Sequence, residues 1–263
     1  MAAVAIRRGF ADIAEGQVHY RTAGPAGGSA KPPLVMFHAS PGSAKMLEPV
    51  IAALAADRTV YALDTLGNGD SSPPAVAEPD IAYFTGAHRR ALDALGIARC
   101  DVYGTHTGAC IGIELAVIAP DRVRRLILDG VSNYSDAQRD DMLANHAPAI
   151  QLDPHGGYLG WIWHFVRDGY LFWPWYKRDA AHLRKVGPPS PEALYEKTLE
   201  IVKAARTYHL SYRAALRYPK TERIPLIRVP TLIACAQSDM LIEYFGSVVK
   251  LAPSARQAVT AGV

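Results

Sequence analysis

Cysteine, net charge and long apolar runs are all scarce in this chain. Only 3 of its 263 residues are cysteine, at Cys100, Cys110 and Cys235. An odd, widely spread set with no metal-ligand spacing argues against a disulfide framework or a zinc site and fits a reducing compartment. No apolar run approaches the roughly 18 residues of a membrane span. The N-terminal stretch MAAVAIRRGF also lacks the basic and apolar regions of a signal peptide. The expectation is a cytoplasmic protein with no membrane partner. A formal charge of +3, from 28 basic and 25 acidic residues, is too mild for nucleic-acid binding, and Arg122, Arg124 and Arg125 make only a short basic run. Neither G-x-G-x-x-G, a Walker lysine nor H-E-x-x-H occurs, so no cofactor and no metal are implied. What is present, 49% hydrophobic residues with 21 Gly and 19 Pro, is the composition of an ordinary globular protein.

The apolar pattern alternates between strand and helix. Phe10 to Gly24 reads as a β-hairpin, and Leu34 to Phe37 as a short strand buried on both faces. A helix over Ala44 to Ala56 and a strand ending at Asp64 follow. Next come a helix from Ile81 to Leu95 closed by Gly96, a strand at Asp101 to Gly104, a helix from Thr107 to Ile118 and a strand from Arg125 to Gly130. This rhythm predicts an α/β fold: a mostly parallel central sheet with helices on both faces, and a site at the carboxyl ends of its strands. The rhythm stops over 131–223, which reads as a helical cap holding all four tryptophans. It returns with a strand in Val229 to Asp239, a helix near Ile242 to Leu251 and a strand over Gln257 to Gly262. The predicted division is a core domain of 1–130 and 224–263 with a cap of 131–223.

The segment Gly104-Thr105-His106-Thr107-Gly108 places a strand, a sharp turn and a helix in succession. Its two glycines stand where a tight turn leaves no room for side chains, which is the nucleophile-elbow pattern G-x-S-x-G with histidine in place of serine. On this and further motifs the chain resembles the α/β-hydrolase superfamily. His38-Ala39-Ser40-Pro41-Gly42 resembles that family's H-G-x-P-G oxyanion loop, with Ala39 for the usual glycine. Asp64 to Ser71 resembles its D-x-x-G-x-G-x-S turn, and Ala119 to Val123 its P-x-x-V segment. The resemblance runs from the hairpin to Gly262. It implies that the backbone N–H groups of Ser40 and Thr107 form an oxyanion hole, and that Asp239 occupies the position of the triad acid. No histidine follows His209, and the sequence stops at Ala261-Gly262-Val263, before the loop expected to carry the family's base.

A serine mechanism therefore does not transfer. His106 is expected to act as a general base on water or on an acidic proton, or as a nucleophile, with Asp239 or Asp129 orienting it. Cys110, one turn beyond His106, reads as packing, and His146, His155, His164, His182 and His209 as ordinary cap residues. The aromatic stretch of the cap suggests a pocket for a small hydrophobic or aromatic carbonyl substrate, with Trp161, Trp163, Phe165, Phe172 and Trp173 as candidate lining and His38 beside it. A dimer contact is the alternative use of that stripe. The functional expectation is a cofactor-independent hydrolase of an ester, lactone or C–C bond. A lyase, decarboxylase or isomerase using His106 for proton transfer is an alternative, as is an inactive ligand-binding protein.

Overall fold

Alternating side chains around Gly16 fold Arg7–Ile13 (β1) and Gly16–Ala23 (β2) into an antiparallel hairpin in the computed structural model, which describes residues 4–261. Leu34–Phe37 (β3) is buried at all four positions, as its continuous apolar run requires. A short 3-10 turn leads into Glu48–Leu54 (α1), and Val60–Leu63 (β4) follows. Ile81–Ala94 (α2) starts at Asp80, whose carboxylate accepts the Tyr83 N–H at 2.7 Å, and ends before Gly96, which takes the left-handed conformation. Cys100–Thr105 (β5), Thr107–Ile118 (α3) and Val123–Asp129 (β6) complete the first half of the sheet.

The strands assemble in the order β1-β2-β4-β3-β5-β6, then Thr231–Ala236 (β7) and Arg256–Thr260 (β8). Pairing is antiparallel at β1-β2 and β2-β4 and parallel elsewhere. Period two decides which layer each side chain joins. Val35 and Phe37 of β3 enter the larger core with α2 and α3, whereas Leu34 and Met36 enter a smaller one with Leu47 and Ile51. Gly262, assigned from sequence to the last strand, lies outside the described residues. Among the described residues no helix is long and apolar enough to cross a membrane.

Between β6 and β7 the chain forms Asp136–Asn145 (α4), Gly157–Leu171 (α5), Pro191–Lys203 (α6), Tyr208–Arg217 (α7) and Lys220–Arg223 (α8). Residues 131–223 divide in their packing. Ile162, Phe165 and Val166 of α5, Trp175 and Ile201 of α6 make a separate apolar cluster over the strand ends. Ala214, Ala215 and Tyr218 instead join the main core. There the Tyr218 hydroxyl donates to Glu114 of α3 at 2.8 Å, and Arg223 binds both oxygens of the same carboxylate at 2.9 Å. The last helix, Phe245–Leu251 (α9), precedes β8.

One buried cluster braces the loops at the site end. Asp64, just past β4, accepts from the Ala44 and Asp70 N–H groups and pairs with His19 at 2.8 Å. His19, Asp64 and Asp70 lie within ligand reach of one another. Arg8 and Lys203 neutralise Asp70, and backbone amides occupy Asp64, so the cluster is tied into the protein's own hydrogen bonds.

Candidate active site

Residue 106 sits on the sharp turn between β5 and α3. His106 has φ +52° and ψ −109°, and it is the one residue other than glycine with positive φ among the described residues. The two flanking glycines make the turn possible. A Cβ on Gly104 would lie 2.3 Å from the Gly108 carbonyl oxygen, and one on Gly108 would lie 2.1 Å from the Phe37 carbonyl oxygen. The strain is local and lifts the imidazole clear of the backbone at the mouth of the cavity under the cap.

The imidazole meets Asp239, which lies just after β7. His106 Nε2 and Asp239 Oδ2 are 2.8 Å apart, both side chains roughly one-fifth exposed. The other carboxylate oxygen accepts the Leu241 N–H at 2.7 Å. Burial by itself would raise the Asp239 carboxyl. The hydrogen bond and charge of His106, the Leu241 amide and the Arg184 guanidinium outweigh it and hold the carboxyl below its ordinary value. With Nε2–H donating to this carboxylate, His106 Nδ1 is left with its lone pair and with no hydrogen-bond partner among the described residues.

Of the two aspartates expected to orient His106, only Asp239 does so. The Asp129 side chain is taken by the Tyr103 hydroxyl at 2.7 Å, and Asp129 reaches residue 106 only through its carbonyl oxygen, which accepts the His106 N–H at 3.0 Å. The reason is register: Asp129 pairs with Thr105 across β5 and β6, so its side chain lies beside Tyr103 on the strand instead of beyond the turn. Burial, then the Asp129 charge, pushes the Tyr103 phenol up.

The Ser40 and Thr107 amides donate to no group among the described residues, and both residues line the space beside His106. Thr107 opens the twelve-residue helix α3, where unpaired N–H groups and the helix dipole favour developing negative charge. The Ser40 hydroxyl is bonded to Ser211 at 2.8 Å, and Ser211 in turn accepts from Asn68 at 3.1 Å. Among the described residues no base touches that hydroxyl.

The cavity measures about 370 Å³ and runs from Ser40 and His106 to the inner face of the cap. Phe165 and Trp173 line it as expected; Trp161, Trp163, Phe172 and His38 do not. On α5, Phe165, Val166, Gly169 and Tyr170 share the inward face. Trp163 lies some 200° around from Phe165 and is 38% exposed. Trp161 is one turn from Phe165 but spends its face stacking on that ring at 5.3 Å, and Phe172 bridges to Leu183. His38 uses both nitrogens on the backbone: Nδ1 meets the Ala39 carbonyl at 2.8 Å, and Nε2 accepts the Thr65 N–H at 2.9 Å. It is a brace between two loops, and burial pulls its pKa down.

Several lining residues were not foreseen. His146, read from sequence as an ordinary cap residue, reaches the cavity and bonds Tyr212 Oη at 2.7 Å; burial pulls its pKa down to about 3, so it is neutral. Lys197 and Arg184 also line the space, as do Tyr170 and Trp175 of the aromatic stretch that the sequence marked for such a pocket. Gly130 follows β6 at φ +65°, and a Cβ there would come within 2.7 Å of the His106 ring and 3.2 Å of Asp239 Oδ2. The helical spacing Leu194, Lys197, Ile201 is the one sequence signal that marks Lys197 as inward-facing. Cys110 is buried with its thiol pushed up by that burial, which makes it packing.

An elbow turn before a helix, a preceding loop with free amides, an acid at the end of the next strand but one and a helical cap together define the architecture of an α/β hydrolase. Residues 32–258 match the family model described as the alpha/beta hydrolase fold, and the chain belongs to that family. A protein assigned as the carbamate hydrolase RutD of Azorhizobium caulinodans is 29% identical over 214 residues, 80% of this chain and 74% of that one. The 2-hydroxymuconate semialdehyde hydrolase of Pseudomonas sp. (strain CF600) is 39% identical over 106 residues, 39% of this chain and 38% of that one. Among solved structures, the enol-lactonase of Burkholderia xenovorans LB400 superposes with a TM-score of 0.72 at 20% identity, covering 96% of this chain and 91% of that one; the likeness is one of fold.

Proposed function

We propose that the protein is a hydrolase whose general base is His106, acting on the carbonyl of a small, largely apolar ester, lactone or C–C substrate. One observation carries the reading: the Nε2–Asp239 hydrogen bond of 2.8 Å fixes the imidazole of a cavity-lining residue and leaves its Nδ1 without a hydrogen-bond partner among the described residues. The side chain of histidine is longer than that of serine, so an elbow histidine reaches the acid directly, and no separate base has to stand between them.

In this mechanism water attacks the carbonyl carbon while Nδ1 takes its proton. The carbonyl oxygen becomes an oxyanion facing the Ser40 and Thr107 amides, each worth about 3 kcal/mol at such a position. Asp239 stabilises the imidazolium, as an acid beneath a catalytic histidine does. The imidazolium then returns the proton to the leaving group as its bond to the carbonyl carbon breaks, giving a carboxylic acid and the protonated leaving group. Phe165, Trp173 and Trp175 give the rest of the substrate an apolar surface. Both relatives named above carry hydrolase assignments, which favours this class over a lyase on the same scaffold.

The test is hydrolysis of a panel of 4-nitrophenyl esters and a dihydrocoumarin lactone. His106→Ala is expected to lower kcat by about 100- to 10,000-fold, the usual weight of a positioned base. Asp239→Asn should lower it less and leave the fold intact by circular dichroism. Hydrolysis unchanged in His106→Ala would refute the assignment. A pre-steady-state burst with acylated His106 would reassign Nδ1 from base to nucleophile.

A further inference from the structure

The charges around the cavity do not balance. Its lining includes two cations, Lys197 and Arg184, against a single carboxylate, Asp239, which is committed to His106. The Arg184 guanidinium is hung on the Gly169 and Ser238 carbonyls, and its field falls on Asp239. Lys197 is different. It projects from the inward face of α6, and its ammonium donates to the Pro41 carbonyl, the residue after Ser40. No carboxylate lies within ion-pair distance of it among the described residues. Neighbouring Glu196 pairs with Lys45, and Glu200, one turn on, pairs with Lys203. An ammonium has three N–H donors, and the one named acceptor here is a neutral carbonyl. Burial pulls Lys197 down to about 8, which leaves it largely charged at neutral pH. The Glu200 charge acts on Lys197 only from beyond ion-pair distance, so this half-buried cation has no direct ionic partner, and a ligand carboxylate would supply one.

We propose that the substrate carries a carboxylate, bound by Lys197 at the oxyanion-loop end of the cavity, an assignment that rests on the hydrolytic reading of His106. Because Lys197 is tethered at Pro41 and one oxyanion donor is the Ser40 amide, the bound anion and the scissile carbonyl are set a short carbon chain apart. The apolar cap surface then covers that chain. The preferred substrate class is a short acyl compound with a carboxylate at its far end, and Lys197 is the specificity-determining residue.

The experiment compares hydrogen 4-nitrophenyl adipate with its methyl ester, which differ only in the distal charge. The wild type is expected to favour the acid in kcat/KM by about tenfold or more, in line with a charge-assisted hydrogen bond. Lys197→Met should reduce that ratio at least tenfold and Lys197→Arg should restore part of it. A wild type with no preference, or a Lys197→Met enzyme with the wild-type ratio, overturns the proposal. A second readout does not depend on turnover: adipate, but not adipamide, should raise the Tm of the wild type and of His106→Ala, and the rise should vanish in Lys197→Met. If neither ester is hydrolysed while the adipate shift is present, the hydrolytic reading fails and the anion site stands. Equal shifts by adipate and adipamide remove the anion site.

Discussion

An imidazole at position 106 is held in a backbone conformation that costs a residue with a Cβ on the order of 1–3 kcal/mol. Three glycines make the arrangement affordable by leaving space around it: Gly104 and Gly108 within the turn, and Gly130 against the ring. Gly130 offers the sharpest single-residue test. Alanine there would carry the unfavourable φ of +65° and push a methyl against both His106 and Asp239. Gly130→Ala is expected to cut kcat by at least tenfold while KM changes less, since the displaced ring no longer presents Nδ1 in line. The result is checked by steady-state ester kinetics beside an unchanged far-ultraviolet spectrum. The same scale explains why Asp129 and His38, both plausible from sequence, play other parts. Each has its polar atoms spent on a close neighbour, Tyr103 for one and the Ala39 and Thr65 backbone for the other.

At the scale of elements, α3 and the cap helices divide the work. α3 is apolar on every face but for Thr107 and the paired Glu114, as befits a helix packed against a sheet on one side and other helices on the other, and its first turn delivers the Thr107 amide to the site. α5 and α6 present one face to the cavity and pack on each other through Ile162, Phe165 and Ile201, so the cavity wall is only as rigid as that cluster. Ile162 is fully buried there. Ile162→Ala should cost about 2–5 kcal/mol locally. Because the cluster is distinct from the main core, the loss should appear first as a raised KM and faster amide exchange in 157–205. Exchange in β3 and β5 should change little. Uniform loss of protection across the sheet would instead mean that cap and core unfold as one unit.

Over the whole molecule, buried neutral histidines set the response to acid. Burial pulls both His88, beneath the site loops, and His146, in the cap, down to about 3. A histidine whose folded pKa is depressed binds more protons unfolded than folded between that value and its ordinary value near 6.5. Stability therefore falls as pH drops from about 6.5 towards 3 and levels off below, by up to about 5 kcal/mol for each group. The expectation is proton uptake of at least two on unfolding near pH 5, His88 and His146 supplying about one each, measured from the slope of urea-unfolding free energy against pH. His146→Gln should reduce that slope by about one proton. A slope unchanged in the variant would show that His146 is not held neutral.

Much of the architecture was already determined by the order of residues along the chain. Strands such as Leu34–Phe37 and the helix Thr107–Ile118 follow from patterns a few residues long, because burial on both faces or a helical stripe is a local requirement. The elbow glycines and the Ser40 loop are likewise local, since they serve tight turns. What the sequence left open were choices between residues far apart: Asp239 over Asp129 for His106, Phe165 and Trp173 over Trp161, Trp163 and Phe172 for the cavity, and the inward cation Lys197. Those depend on strand register and on which face of a cap helix meets the sheet. Both are fixed by packing between segments more than 130 residues apart, of which no stretch of sequence carries a record.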